Sequence, residues 1–209
     1  MSRHVVLVGD SIFDNALYVP GGPSVTEHVG RLLSPGDRAS LVAVDGATVS
    51  SVFRQIERVP DDATHLILSA GGNDALWTAG NIFSEESTDI RSSLQRVDES
   101  VTEFAKEYRR LVDELREFGL PLTLCTVYDS VPGLDLSEVA GLCVFNDTIS
   151  RTAISVGATL IDLRTICAEK SDYSETSPIE PSASGGGKIA RAIIQSVMGT
   201  ESFHRVIGS

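Results

Sequence analysis

Two hydrophobic patterns alternate along the chain. Short unbroken runs of aliphatic and β-branched residues occur at 4–8, 39–44, 65–70, 122–127 and 158–163, as expected of strands buried on both faces. Between them, apolar residues recur at steps of three and four. Val25, Val29, Leu32 and Leu33 predict one helix, and Val49, Val52, Phe53 and Ile56 a second. A long third helix, over about 90–118, follows from Leu94, Val97, Val101, Phe104, Tyr108, Leu111 and Leu115, with a charged opposite face. Leu142, Phe145, Ile149 and Ala153 predict a helix over 137–156, and Ile189, Ile193 and Val197 a last one from near Gly185.

Local punctuation agrees with this reading. Ser24-x-x-Glu27 has the form of a capping box, and Gly119 with Pro121 ends the long helix. Residues 75–89 read as mostly loop, and 165–184, with Pro178 and Pro181, as irregular. Strands and helices alternating in this way predict an α/β fold, a three-layer α/β/α sandwich on a five-stranded parallel sheet. The flavodoxin-like order 2-1-3-4-5 is the natural arrangement. With no linker, repeat or low-complexity tract, residues 1–209 read as one domain.

Composition narrows the partners more than the fold. The net charge is −12, from 17 basic and 29 acidic residues, which disfavours nucleic acid and anionic membranes. The apolar run at the N-terminus is too short for a signal peptide or a membrane span. Cys125, Cys143 and Cys167 have neither metal-site nor disulfide-framework spacing, so a reduced, cytoplasmic setting is expected. Composition says nothing of oligomeric state.

Candidate chemistry collects at strand ends. The first strand stops at Gly9-Asp10-Ser11, the second runs to Asp45-Gly46, and the third stops at Gly71-Gly72-Asn73-Asp74. In a parallel sheet these ends share one edge, where ligands of such folds bind. Ser11 stands where a nucleophile would be useful. The backbone N–H of Ser11, that of Gly46 and the side-chain amide of Asn73 could meet a developing oxyanion, with Asp10 and Asp74 supporting them. Taken singly, each has a plainer reading: Ser11 as a helix cap, Gly46 as a turn, Asn73 and Asp74 as loop caps.

Taken in order, these blocks resemble the GDSL, or SGNH, family of serine esterases and lipases. Gly9-Asp10-Ser11-Ile12-Phe13-Asp14-Asn15 is similar to its first block, with Ile12 in place of the leucine. Gly46 matches its second block and Gly71-Gly72-Asn73-Asp74 its third. Pro181-Ser182, Gly185-Gly186 and Lys188-Ile189-Ala190 are similar to the stretch after its last block. The resemblance implies hydrolysis of carboxylic esters, no metal or other cofactor, Ser11 as nucleophile, and Ser11, Gly46 and Asn73 as oxyanion donors.

It also implies a departure. The family's last block is Asp-x-x-His, whose His is the general base; the matching positions here are Ser177 and Glu180. His4 opens the first strand, His28 lies on the first helix, His65 opens the third strand, and His204 follows the last helix. Glu180 is therefore the expected base, provided that burial raises its pKa into the useful range of ~6–7. The competing expectation is a catalytically silent module of the same fold that binds an acyl or acetylated-sugar ligand. A nucleotide-binding protein is disfavoured, because no Gly-rich loop has phosphate-cradle spacing. The substrate and its acyl length are not legible at this level.

Overall fold

In the computed structural model, residues 2–83 and 89–199 are described. They form a five-stranded parallel sheet in the order β2-β1-β3-β4-β5. The strands are β1 (His4–Gly9), β2 (Arg38–Leu41), β3 (His65–Ser69), β4 (Leu122–Cys125) and β5 (Thr159–Ile161). The helices are α1 (Val25–Leu32), α2 (Val49–Ile56), α3 (Gly72–Phe83), α4 (Ile90–Arg116), α5 (Leu136–Val156), α6 (Leu163–Ile166) and α7 (Ala183–Met198).

Alternate strand residues feed two cores. Val6, Val8, Leu66, Leu68, Leu122 and Leu124 pack against α2, α4 and α5, with Phe104, Tyr108, Leu111 and Phe145 as the largest contributors. Val5, Leu7, Ile67 and Cys125 face α1, α6 and α7, where Phe13, Val29, Ile189 and Ile193 meet them. Continuous apolar strands are thus explained by burial on both sides. The Ser24–Glu27 capping box forms at α1, and a second joins Asp135 and Glu138 at α5. Of the three free cysteines, Cys125 and Cys167 are buried and Cys143 is exposed. Among the described residues, no helix is long and apolar enough to cross a membrane.

Four local expectations are corrected. Residues 75–83 belong to α3 rather than to a loop; residues 84–88 lie outside the described residues. The reason is tertiary, because α3 lies against α4 and α5. β2 ends at Leu41, since the carbonyl of Leu7 accepts from both Val42 and Ala43, which breaks the regular ladder. Leu94 and Leu32, placed on buried stripes by periodicity, are 63% and 45% exposed. The stretch after β5 is less irregular than expected: Asp162 caps the short α6, and Ser182 caps α7 two residues ahead of the expected start.

Candidate active site

β1 carries the candidate nucleophile to the carboxyl edge through Gly9. Its φ is +130°, and a Cβ there would sit 1.7 Å from the Ser69 carbonyl oxygen, so only glycine fits. Buried Gln55 clamps this residue, accepting from Gly9 N at 2.8 Å and donating to Gly9 O at 2.7 Å. The chain then turns tightly, with Phe13 and Asp14 both donating to the Asp10 carbonyl. Ser11 sits inside this turn and is nearly buried.

The stretch bearing Glu180 is held from several sides. Ser174 N donates to Glu180 O at 2.8 Å, and Glu180 N donates to Ser177 O at 3.0 Å. Tyr128 Oη donates to Ile179 O at 2.6 Å, while its ring meets Tyr173 edge-on. Lys188, on α7, pairs with fully buried Asp172 at 2.8 Å, which pins the preceding turn. Asn15 joins this stretch to the nucleophile turn. It is fully buried, donates to Pro181 O at 3.1 Å, and accepts from Val25 N at 2.9 Å.

These two segments and the start of α3 surround one cavity of about 100 Å³. Asp10, Ser11, Asn73 and Glu180 line its polar end. The remainder is mostly apolar, formed by the inner face of α3, α5 and the loop after β4. The Glu180 side chain is 4% exposed. Burial pushes its carboxyl up to about 7; the neighbouring Ser11 hydroxyl works against this rise, and the negative charge of Asp45 adds to it. Oε2 of Glu180 is buried with no partner among the described residues.

A second carboxyl lies beside the nucleophile. Asp10 Oδ1 accepts from Ile12 N at 3.2 Å and from Ser69 Oγ at 3.3 Å. Burial pushes its pKa up to about 8 despite these bonds, and the charge of Glu180 pushes the same way. Burial thus favours the neutral, protonated form of Asp10. Asp74, the other supporting candidate, accepts from Val49 N at 3.1 Å and so serves as the side-chain cap of α2. Its pKa is raised by burial.

Asn73 donates from Nδ2 to Ala47 O at 3.0 Å, which leaves its second amide hydrogen for a ligand. Gly46 is joined to the site through this bond to its neighbour but does not line the cavity; it opens onto an adjacent surface depression with Asp45, Ser51 and Arg54. Its φ is +74°, and a Cβ would meet nothing within 4 Å. Among the described residues, neither Ser11 N–H nor Gly46 N–H donates to a protein acceptor.

Among the described residues, no histidine lines the cavity. His4, at the opposite edge of the sheet, contacts Asp62 and Ser40. His65 contacts Thr64 beside it, and His28 bonds to Ala183 O at 2.9 Å. His204 lies outside the described residues. Gln55, Tyr128 and the bridging role of Asn15 are not evident from the sequence. Asn15 stands in a block the sequence already marks, but its partner is 166 positions away.

The model of the GDSL-like lipase/acylhydrolase family matches residues 7–185. The chain belongs to this family. Solved structures share its fold at low identity. The lipase Lip_vut3 from a goat rumen metagenome superposes with a TM-score of 0.72 at 16% identity, covering 94% of this chain and 97% of that one. An extracellular lipase from Streptomyces rimosus gives 0.68 at 17% identity, with 94% and 100% coverage. A variant of an acetyl xylan esterase from Geobacillus stearothermophilus gives 0.67 at 17% identity, with 97% coverage of each. No curated protein sequence matches the chain.

Proposed function

We propose that this GDSL-family member is a carboxylic-ester hydrolase working through a Ser11–Glu180 dyad. The observation that carries the proposal is the buried Glu180 carboxyl, which lines one cavity together with Ser11 and Asn73 and whose pKa burial raises. A serine needs an adjacent base to become a nucleophile, and a carboxyl near pKa 7 is matched to that task at neutral pH.

The chemistry is acyl transfer in two halves. Ser11 Oγ attacks the ester carbonyl carbon as its proton passes to the Glu180 carboxylate. The oxyanion that forms is met by the N–H group of Ser11 and the free amide hydrogen of Asn73; Gly46, which opens onto the adjacent depression, is left out of this role. The tetrahedral intermediate collapses, the C–O bond to the alcohol breaks, and protonated Glu180 returns its proton to the leaving alkoxide. Water then gives a proton to Glu180 and attacks the acyl-enzyme. Collapse releases the carboxylic acid and reprotonates Ser11. Neutral Asp10 adds no negative charge beside the developing oxyanion, which its ionised form would do.

Phenylmethylsulfonyl fluoride tests the nucleophile. Ser11 Oγ should displace fluoride to give one sulfonyl group per chain, mapped to the peptide containing Ser11, with esterase activity lost in parallel. Label elsewhere, or none while p-nitrophenyl butyrate is turned over, would contradict the assignment. The pH profile tests the acid–base roles. Activity should rise as Glu180 ionises near pH 7 and fall again as Asp10 ionises near pH 8, giving a bell. A flat plateau to pH 10 would remove Asp10 from this account.

A further inference from the structure

The apolar end of the cavity is made by two helices presenting matched stripes. α3 offers Ala75, Leu76, Ala79 and Ile82, and α5 offers Glu138, Gly141, Leu142 and Phe145. Both sets follow helical spacing. Gly141 is the anomaly. It lies within α5, its φ is not positive, and a Cβ built on it would meet no atom within 4 Å. Neither a turn nor close backbone packing calls for glycine there, and glycine inside a helix lowers its stability. What the missing side chain leaves is room in the cavity that Ser11 and Glu180 also line.

We infer that Gly141 is a specificity-determining residue whose absent side chain keeps open a chamber for the acyl chain of an aliphatic ester. This rests on the ester-hydrolase reading above and specifies its substrate class. Beyond the catalytic end, the polar side chains on the chamber wall are few. Tyr128 already gives its hydroxyl hydrogen to Ile179 O, Glu138 is engaged in its capping box, and Thr78 remains. A sugar would leave hydroxyls unpaired there, whereas a hydrocarbon chain asks for no partner. An apolar cavity of ~150 Å³ is enough for benzene. The whole cavity, catalytic end included, is about 100 Å³, which limits the acyl chain to a few carbons.

The test compares the parent with Gly141→Ala and Gly141→Leu. For each, kcat/KM is measured on p-nitrophenyl acetate, butyrate and hexanoate, and binding of the non-hydrolysed probe hexanamide is measured by calorimetry. The hexanoate-to-acetate ratio should fall at least tenfold in Gly141→Leu and by a smaller factor in Gly141→Ala. Hexanamide should bind at least tenfold more weakly to Gly141→Leu than to the parent. The thermal midpoint of Gly141→Ala should rise by ~2–4 °C, because alanine favours the helix. An unchanged acyl-length ratio in both variants would overturn the inference, as would a loss that follows the alcohol chain in a series of alkyl acetates. If the parent hydrolyses no ester, the dyad reading fails while the binding arm still decides. Hexanamide held by the parent and weakened by Gly141→Leu would support the chamber; equal binding, or none to the parent, would overturn it.

Discussion

The two ends of the cavity are built on different principles. Its polar end is held by directional bonds that cross long stretches of chain. Gln55 clamps Gly9, Asn15 ties the nucleophile turn to Pro181, and Tyr128 holds Ile179 beside Glu180. The apolar end has no such ties. It is formed by the facing sides of α3 and α5 and the loop after β4, with a glycine on α5 where packing asks for none. The polar end thus fixes where atoms react, which demands tight geometry. The apolar end fixes what fits, and it can be altered by volume alone. Substitutions should divide accordingly: rate at one end, chain-length selectivity at the other.

The largest effect is expected at the nucleophile. Ser11→Ala should lower kcat/KM on p-nitrophenyl butyrate by ~10⁴ or more and scarcely move the thermal midpoint, since the hydroxyl adds little to the core. Persisting turnover would return Ser11 to the role of a turn residue. Asn73→Ala should cost ~10²–10³ in kcat through loss of an oxyanion donor. An unchanged rate would limit Asn73 to bracing the Ala47 carbonyl.

The ties should show in stability as well as in rate. Asn15→Leu leaves Pro181 O and Val25 N buried without their partner, at a cost of ~2–5 kcal/mol. A thermal melt should record a fall of roughly 5–15 °C. A midpoint within 1 °C of the parent would mean that the two segments are held together by other contacts.

The smallest effect concerns Asp10 and has a definite sign. Folding raises its pKa from 3.8 to about 8, so between those values the folded chain holds a proton that the unfolded chain has lost. Its contribution to stability is therefore full below the unfolded pKa and is lost as pH rises through the folded one. Asp10→Asn removes this dependence and keeps an acceptor oxygen. Its advantage over the parent in urea melts should grow by roughly 1–3 kcal/mol from pH 6 to pH 8. An advantage that shrinks with pH would show that Asp10 is ionised in the folded state.

Some of this was legible in the sequence and some was not, for physical reasons. The strands followed from apolar runs, because burial on both faces leaves a continuous signature, whereas their order came only from the usual arrangement of such folds. The polar strand ends pointed to Ser11 and Asn73, and the structure brings both to one cavity with Glu180. α3 was hidden because Gly71-Gly72-Asn73-Asp74 reads as a turn and only contact with α4 and α5 gives the next residues a reason to coil. Leu94 illustrates the reverse error: it continues the stripe of α4, yet it is exposed. The tie from Asn15 could not be read, because nothing local to residue 15 encodes a carbonyl at residue 181. The burial of Glu180 was equally out of reach, since it depends on the packing of segments far apart in the chain.

The central claim is that Glu180 takes the proton of Ser11. Glu180→Gln keeps the size of the side chain and its hydrogen-bonding capacity but cannot accept that proton. The decisive measurement is kcat/KM of this variant on p-nitrophenyl butyrate near pH 7.5, with folding checked by circular dichroism. A drop of ~10²–10⁴ is predicted, in line with removal of a general base. A folded Glu180→Gln variant as active as the parent would contradict the dyad.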